Sequence, residues 1–139
     1  MSEDNKRLVR RALEEIYAKG DLEVANELVH PGFVDHEPAH PDLPTGPESV
    51  KQTVRDLQRA FGELRFEVED EIAEGDKVVQ LVTMSGRHTG PLVGREPTDK
   101  AFAVRHIYIW RIADGRIAEH WGSRDDLGLL GQLGLLPKP

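Results

Sequence analysis

The hydrophobic pattern of this chain changes its period at Gly62, and that change limits the possible folds more than any other feature of the sequence. Before Gly62, apolar residues recur every three or four positions, as in helices that bury one face. The pattern predicts three helices: one that ends at Gly20, a short one that ends before Pro31, and one with Pro47 in its first turn. After Gly62, apolar and polar residues alternate, as in half-buried strands. Helices followed by a meander of long strands predict an α+β fold.

The last two predicted strands form a hairpin around Asp114-Gly115, a dipeptide that favours a two-residue turn. Counting outward from Ala113 opposite Arg116 predicts which side chains share a face of the sheet, because directly opposed residues point the same way. A shift of one residue in this register would move every side chain to the other face. One predicted face collects Tyr108, Trp121, His106, Ser123 and Asp125, and the other collects Ile107, Ile109, His120, Gly122, Arg105 and Arg124.

The first of these two faces has the composition of a small-molecule site. It places two aromatic rings beside a histidine, a hydroxyl group and a carboxylate, and such sites combine apolar walls with a few converging polar groups. The alternative is a solvated rim, with Asp125 in water and His106 hydrogen-bonded near the surface. Taken as a set, these residues favour the pocket. The opposite face carries Ile107 and Ile109, which a partner sheet explains best, so we expect an oligomer.

The stretch HEPAH, from His36 to His40, matches the H-E-x-x-H signature of zinc proteases letter for letter. That signature binds zinc only on a helix, where residues four apart share a face. Here Pro38 lies inside the motif, and proline both removes an amide donor and disfavours helical geometry in the residue before it. We therefore expect a short strand that runs into an extended loop, and no metal site. We assign His40 to a solvent-exposed loop.

Composition narrows the function classes further. The 139 residues suit a single domain, 1–139, and the net charge of −7 argues against a nucleic-acid partner, because an acidic chain gains no counterion release. No segment approaches the ~20 apolar residues of a membrane span, and the charged N-terminus lacks the apolar centre of a signal peptide. The absence of cysteine leaves no thiol nucleophile and no thiolate metal site. We expect a cytoplasmic protein that binds neither nucleic acid nor membrane.

Several segments, in this order after the helices, resemble one family. These segments are FVDHEP, AEGDKVV, SGRHTG, IWRIADGRIAEHW and HWGSRDDLGLLGQLG. Together they resemble the SnoaL-like polyketide cyclases of the nuclear-transport-factor-2-like superfamily, over nearly the whole chain. The resemblance implies a cone-shaped curved antiparallel sheet wrapped around three N-terminal helices and enclosing a cavity. It also implies a homodimer or homotetramer.

The same resemblance implies a cofactor-independent ring closure by intramolecular aldol condensation on a small hydrophobic carbonyl compound. By order and spacing, the acid/base aspartate of the family matches Asp125, and His106 or Tyr108 would stabilise the enolate oxygen. The catalytic candidates are therefore Asp125 and His106, and the substrate-binding candidates are Tyr17, Asp35, His36, His88, Tyr108 and Trp121. For His88, a strand-end position in water is an equal alternative.

Two other functions remain open on this sequence. A non-catalytic small-molecule binding protein of the same fold would have Asp125 exposed or held in a structural pair, whereas an enzyme would bury it. Hydrolysis, such as epoxide opening, would need a carboxylate pair and an arginine around one water, and the predicted strand faces do not assemble that set.

Overall fold

The helices and strands lie close to where the hydrophobic period predicts them. The computed structural model describes residues 2–38 and 42–137. The helical elements are α1 (Ser2–Arg11), a π-helical segment that continues it (Ala12–Ala18), α2 (Leu22–Leu28), α3 (Pro47–Ala60) and α4 (Asp126–Gln132). The strands are β1 (Val29–Asp35), β2 (Phe61–Glu74), β3 (Lys77–His88), β4 (Ala101–Ala113) and β5 (Arg116–Arg124). Strand β1 ends before the HEPAH motif, and residues 36–38 form no helix, as expected.

The five strands form one curled, unclosed sheet in the order β1-β5-β4-β3-β2, and the helices pack on one side of it. We call the side covered by the helices the inner face and the opposite side the outer face. This arrangement is the expected α+β cone. One detail differs from the expected antiparallel sheet, because β1 pairs with β5 in parallel. That pairing joins two segments that are far apart in the sequence, and it brings the end of β1 beside the middle of β5.

The main core lies between the inner face and the N-terminal helices. Val9 and Ile16 of the first helical stretch, together with Val54 of α3, are buried against Val78 and Trp110 of the sheet. The apolar positions that defined the helical period in the sequence are therefore the ones that face the sheet. A second cluster, which includes Phe61, Phe102 and Leu133, lies where the chain after α4 packs back on β4.

The hairpin turn forms as predicted, but the predicted register beyond the turn is wrong by one residue. Asp114 and Gly115 both have positive φ angles, 54° and 70°, as a type I′ turn requires. Ala113 pairs with Arg116 as expected. The register then shifts, because Ala118 is an extra residue with no partner of its own on β4. Such a β-bulge is a local two-for-one pairing that bends the strand.

The bulge exchanges the two predicted faces of β5. The observed pairs beyond it are Trp110 with His120, Ile109 with Trp121, Tyr108 with Gly122, Ile107 with Ser123 and His106 with Arg124. The predicted pairs Tyr108–Trp121 and His106–Ser123 are therefore wrong. The inner face gains His120, Gly122 and Arg124, and the outer face gains Trp121 and Ser123.

Candidate active site

A small cavity lies between the inner face, the π-helical segment and α3, and it has a volume of about 80 Å³. Most of its wall is apolar and comes from residues such as Leu13, Leu57, Phe66, Met84 and Trp110. Five polar side chains converge on it from three strands: Asp35, His106, Tyr108, His120 and Arg124. Apolar walls with a few converging polar groups are typical of sites for small molecules.

The centre of this polar set is the pair formed by Asp35 and His120. Because β1 runs beside β5, these two residues are register partners, and Asp35 Oδ1 lies 3.1 Å from His120 Nδ1. The amide of Glu37 also donates to Asp35 Oδ1, at 2.9 Å. Burial alone would raise the pKa of Asp35. The hydrogen bond and charge of His120, the Glu37 amide and the charge of Arg124 outweigh it and lower that pKa below its ordinary value.

An ionised Asp35 fixes the tautomer of His120. A carboxylate can only accept hydrogen bonds, so the Nδ1 atom of His120 must donate to it. The neutral imidazole then has its lone pair on Nε2, on the side of the ring away from Asp35. His120 is 8% exposed. The pair therefore presents an oriented proton acceptor inside a largely apolar cavity.

The backbone at residue 122 lies close to this imidazole, so glycine suits the position. A Cβ atom at Gly122 would lie 3.2 Å from His120 Cε1, 3.5 Å from His120 Nε2 and 3.4 Å from Tyr108 Cδ1. The first of these contacts is closer than ordinary van der Waals contact. Glycine at this position thus lets the imidazole of His120 and the ring of Tyr108 pack against the strand without a clash.

Tyr108 and His106 form a second hydrogen-bonded pair on β4. The Tyr108 hydroxyl lies 2.7 Å from His106 Nδ1. Burial raises the pKa of Tyr108, so its hydroxyl stays protonated. Burial also lowers the pKa of His106; the charge of Arg124 acts in the same direction, and Asp126 and Asp125 oppose it. Both side chains are neutral near pH 7 and supply a neutral hydrogen-bonding edge to the cavity.

The comparison with known proteins now decides the family. The model of the SnoaL-like polyketide cyclases matches residues 7–133. This chain belongs to the SnoaL-like polyketide cyclase family. It is 34% identical over 116 residues to nogalonic acid methyl ester cyclase of Streptomyces nogalater, covering 83% of this chain and 87% of the relative. It is 37% identical over 133 residues to aklanonic acid methyl ester cyclase DnrD of Streptomyces peucetius, covering 91% and 88%.

Solved structures agree with this SnoaL-like assignment. TsrD from Streptomyces laurentii superposes with a TM-score of 0.86 at 33% identity, covering 96% of this chain and 97% of TsrD. Wild-type IdmH from Streptomyces antibioticus superposes with a TM-score of 0.79 at 30% identity, covering 94% of this chain and 98% of IdmH. The SnoaL-like chain therefore shares both its fold and about a third of its sequence with proteins that span nearly its whole length.

Four of the predicted site residues of this SnoaL-like protein line the cavity. They are His106, Tyr108, Asp35 and Tyr17. Tyr17 comes from the π-helical segment, and its ring meets those of Phe66 and Trp110 edge-on, at centroid distances of 6.0 and 6.1 Å. Burial raises the pKa of Tyr17, and the charge of Asp35 adds to that increase, so its hydroxyl stays protonated.

The other predicted residues lie outside the cavity of the SnoaL-like fold. Trp121 and His36 stack on each other at the outer face, with ring centroids 4.6 Å apart and nearly parallel planes. Asp125 is exposed, and its Oδ1 accepts the amide hydrogen of Gly128 at 2.8 Å, which caps the N-terminus of α4. The bulge at Ala118 turns Trp121 to the outer face, whereas Asp125 follows the end of β5 as the N-cap residue of α4. The catalytic role assigned to Asp125 and the substrate contacts assigned to His36 and Trp121 remain predictions.

His88 is fully buried, away from the residues that line the cavity. Its Nδ1 accepts the amide hydrogen of Thr98 at 3.0 Å and lies 3.0 Å from the Thr98 hydroxyl. Its Nε2 has no hydrogen-bond partner among the described residues. The loop after β3 therefore folds back over the imidazole, which explains why His88 is not a strand-end residue in water. Its predicted contact with substrate remains a prediction.

Sequence reasoning missed His120 and Arg124 as members of the site. Both were assigned to the other face because strict alternation was counted through Ala118. The consecutive buried pair Ile117 and Ala118 is the one local sign that alternation breaks there. A parallel partner for β5 was not predicted either, and only that partner brings Asp35 to His120.

Neither the metal motif nor a membrane span finds support in the described residues. Within residues 2–38 and 42–137, no group of three or more His, Cys, Asp or Glu side chains is arranged to hold a metal ion. His40, the second histidine of HEPAH, lies outside the described residues. His36 instead pairs with Glu119, with Nε2 and Oε1 2.9 Å apart. The described helices are all too short or too polar to span a membrane.

Proposed function

We propose that this protein is a cofactor-independent cyclase, or a related carbon-acid enzyme, that acts on a small hydrophobic carbonyl compound in the cavity described above. The observation that carries the proposal is the Asp35–His120 pair, an oriented proton acceptor inside an apolar cavity. Relatives with more than a third of the sequence in common are named as cyclases of methyl esters. A carbon acid needs a base of this kind, held where water is scarce.

In this proposal His120 Nε2 is the base and Asp35 is the residue that positions it. The carbon–hydrogen bond next to a carbonyl group breaks, the proton moves to Nε2, and the electron pair becomes an enolate. The enolate carbon then bonds to a second carbonyl carbon of the same molecule. The oxygen of that second group takes the proton back from His120. Asp35 stabilises the imidazolium in between, as the carboxylate of a catalytic triad does.

The size of the cavity supports a small substrate. Sites for drug-sized ligands have volumes of roughly 300–1,000 Å³, whereas this cavity has about 80 Å³. A short 1,3-dicarbonyl chain is the part of a substrate that fits such a space. A ring attached to that chain would have to displace side chains of the cavity wall.

Deuterium exchange at the acidic carbon of methyl benzoylacetate tests this proposal. We expect wild type to exchange above the buffer rate and His120→Gln to lose most of that rate, because general bases contribute about 10²–10⁴-fold. Asp35→Asn should reduce it by at least ten-fold. His30→Gln is the matched control, since His30 lies on β1 and contacts Asp114 at the surface.

Asp125→Asn separates the two candidate bases in the same assay. Asparagine caps helices as well as aspartate does, so this variant should fold normally. Loss of exchange in Asp125→Asn with normal exchange in His120→Gln would support Asp125, the base predicted from the sequence, and would reject His120. Binding of the ester without exchange in wild type would favour the non-catalytic binding protein, an alternative that the exposure of Asp125 favours.

We also propose that a second copy of the chain covers the outer face. Ile107 is 48% exposed there and Ile72 is 65% exposed, and they border the partly buried side chains of Val79 and Leu81. The rim of this patch carries both signs of charge, as in the ion pair of Arg105 with Glu69. Such a rim allows one surface to face its own copy in a two-fold contact.

Sedimentation equilibrium at micromolar concentration tests this second proposal. We expect a dimer or tetramer for wild type and a monomer for Ile107→Glu, because the new carboxylate would be buried without a partner. Val93→Glu is the control, since Val93 is 88% exposed in the loop between β3 and β4. A wild-type protein that sediments only as a monomer would overturn the proposal.

A further inference from the structure

We propose that the part of the cavity beside Arg124 is an oxyanion subsite, in which Arg124 binds the enolate oxygen of the substrate while His120 accepts its proton. This inference rests on the proposed function and names the group that stabilises the charge. No feature of the sequence pattern indicated it, because Arg124 was expected on the outer face.

The order of residues along β5 creates the subsite. Alternate residues of a strand share a face, so His120 and Arg124, with Gly122 between them, lie on the inner face of the sheet. Both His120 and Arg124 line the cavity. A planar enolate placed between these two side chains has its carbon toward the imidazole of His120 and its oxygen toward the guanidinium of Arg124.

The charge of Arg124 acts on three other polar groups of the site. It lowers the pKa of Asp35 and of His106, and it opposes the burial that raises the pKa of Tyr108. Among the cavity-lining residues in the described part of the chain, Arg124 is the only Lys or Arg. A developing negative charge in the cavity therefore has no other lysine or arginine within this set of residues.

The guanidinium is held in place before any substrate binds. Its Nη1 atom donates to the backbone carbonyl of Glu37 at 2.8 Å, next to the strand that carries Asp35. Its Nε lies 3.9 Å from a carboxylate oxygen of Asp126, which is mostly exposed and so offsets little of the charge. Donors fixed in advance around the position of a forming charge stabilise the transition state most effectively.

The subsite binds the negative charge that forms in the first chemical step. When the proton leaves carbon for His120 Nε2, the electron pair of that bond moves to the neighbouring carbonyl oxygen, which becomes the enolate oxygen. Arg124 binds that oxygen. When the enolate carbon attacks the second carbonyl group, the negative charge moves to a new oxygen, which the proton on His120 neutralises. No oxidant, reductant or further reactant is needed.

Binding of 4-nitrophenol tests the subsite without turnover. Its anion is planar, carries its charge on one oxygen as an enolate does, and is coloured, so absorbance reports the ionisation of the bound ligand. 4-Nitroanisole is the uncharged analogue. We expect wild type to bind the anion preferentially and Arg124→Gln to lose about ten-fold or more of its anion affinity. Arg124→Lys should restore part of it, and Arg116→Gln, on the exposed end of β5, should behave as wild type.

A purely structural role for Arg124 predicts a different result. If Arg124 only ties β5 to the segment after β1, Arg124→Gln would weaken 4-nitrophenolate and 4-nitroanisole alike, and that outcome overturns the proposal. Equal anion binding by wild type and Arg124→Gln overturns it too, as does failure of wild type to bind the anion. The deuterium-exchange assay tests the cyclase proposal separately. If wild type binds the anion preferentially but never exchanges deuterium, the proposed cyclase activity is contradicted and the subsite stands.

Discussion

The inner and outer faces of the β4–β5 hairpin carry similar side chains but use them in different ways. On the inner face, Trp110 and His120 are buried and hydrogen-bonded to buried or half-buried partners. On the outer face, Trp121 stacks on the ring of His36, lies 5.5 Å from the ammonium group of Lys77, and remains partly exposed. A tryptophan and a histidine thus line a buried cavity on one side and form a surface contact on the other. The two faces differ in burial. On the inner face, each buried polar group depends on its hydrogen-bond partner.

The two tryptophans give the largest difference between the faces. Trp110 is 1% exposed and donates its indole hydrogen to Gln80 at 2.8 Å. We expect Trp110→Ala to lower the free energy of unfolding by about 3–5 kcal/mol, because it leaves a cavity and an unpaired buried amide. Trp121→Ala should lower it by about 1 kcal/mol or less, as at most surface positions.

Urea denaturation at several protein concentrations measures both changes. A similar loss for the two variants at low concentration would contradict the distinction between the faces. A loss for Trp121→Ala that grows with concentration would instead report the second copy proposed for the outer face.

Single substitutions to alanine on the two sides of β5 give an intermediate effect. Gly122→Ala places a Cβ atom 3.2 Å from His120 Cε1, so the imidazole must shift by a few tenths of an ångström. Displacing a catalytic group costs rate steeply, and we expect about a ten-fold loss of deuterium exchange with little change in melting temperature. Ser123→Ala, on the outer face, should leave the rate unchanged. Equal rates in Gly122→Ala and wild type would show that the exact position of the His120 imidazole does not limit the rate.

Acid titration gives the smallest expected difference between the faces. It compares the contributions to stability of Asp35 on the inner face and Glu119 on the outer face. The pKa of Glu119 is also lowered, chiefly by its hydrogen bond from Arg111 and then by that from His36. A carboxyl with a lowered pKa in the folded state adds stability above its ordinary pKa. That stability is lost as the pH falls through the lowered value. For Asp35 this window begins near its ordinary value of 3.8 and extends downward.

Unfolding measured between about pH 5 and pH 2 checks this contrast. Asp35→Asn should flatten the fall in stability on the acid side. Glu119→Gln should flatten it less, and added salt should remove most of its effect, because Glu119 lies near the surface. A larger, salt-resistant effect for Glu119→Gln would reverse the comparison.

The sequence predicted those parts of the fold that depend on local patterns. Gly20 ends the first helical stretch, Pro47 begins α3, and Asp114-Gly115 forms the turn, because each satisfies a backbone requirement of its immediate neighbours. Family resemblance then supplied the architecture that local patterns could not. Tyr17, Asp35, His106 and Tyr108 were predicted as site residues and all four line the cavity.

Two features of the sheet that local sequence does not determine limited the prediction of the site. The bulge at Ala118 changes the face of every later residue on β5, yet alanine has no property that marks a bulge. The parallel pairing of β1 with β5 is a choice among distant partners, and it alone explains the contact between Asp35 and His120. The burial of His88 was not predicted for a similar reason, because the loop that covers it carries no regular pattern.

The bulge at Ala118 also has an evolutionary consequence. Since the side-chain period of a strand is two, one residue inserted or deleted between the bulge and Arg124 would exchange a whole wall of the cavity for residues that now face outward. Substitutions alter such a wall one side chain at a time. A lineage built on this hairpin therefore has two routes to a new ligand, gradual replacement and a single change of length. Alignments that place gaps inside β5 are where a switch of the second kind would be recorded.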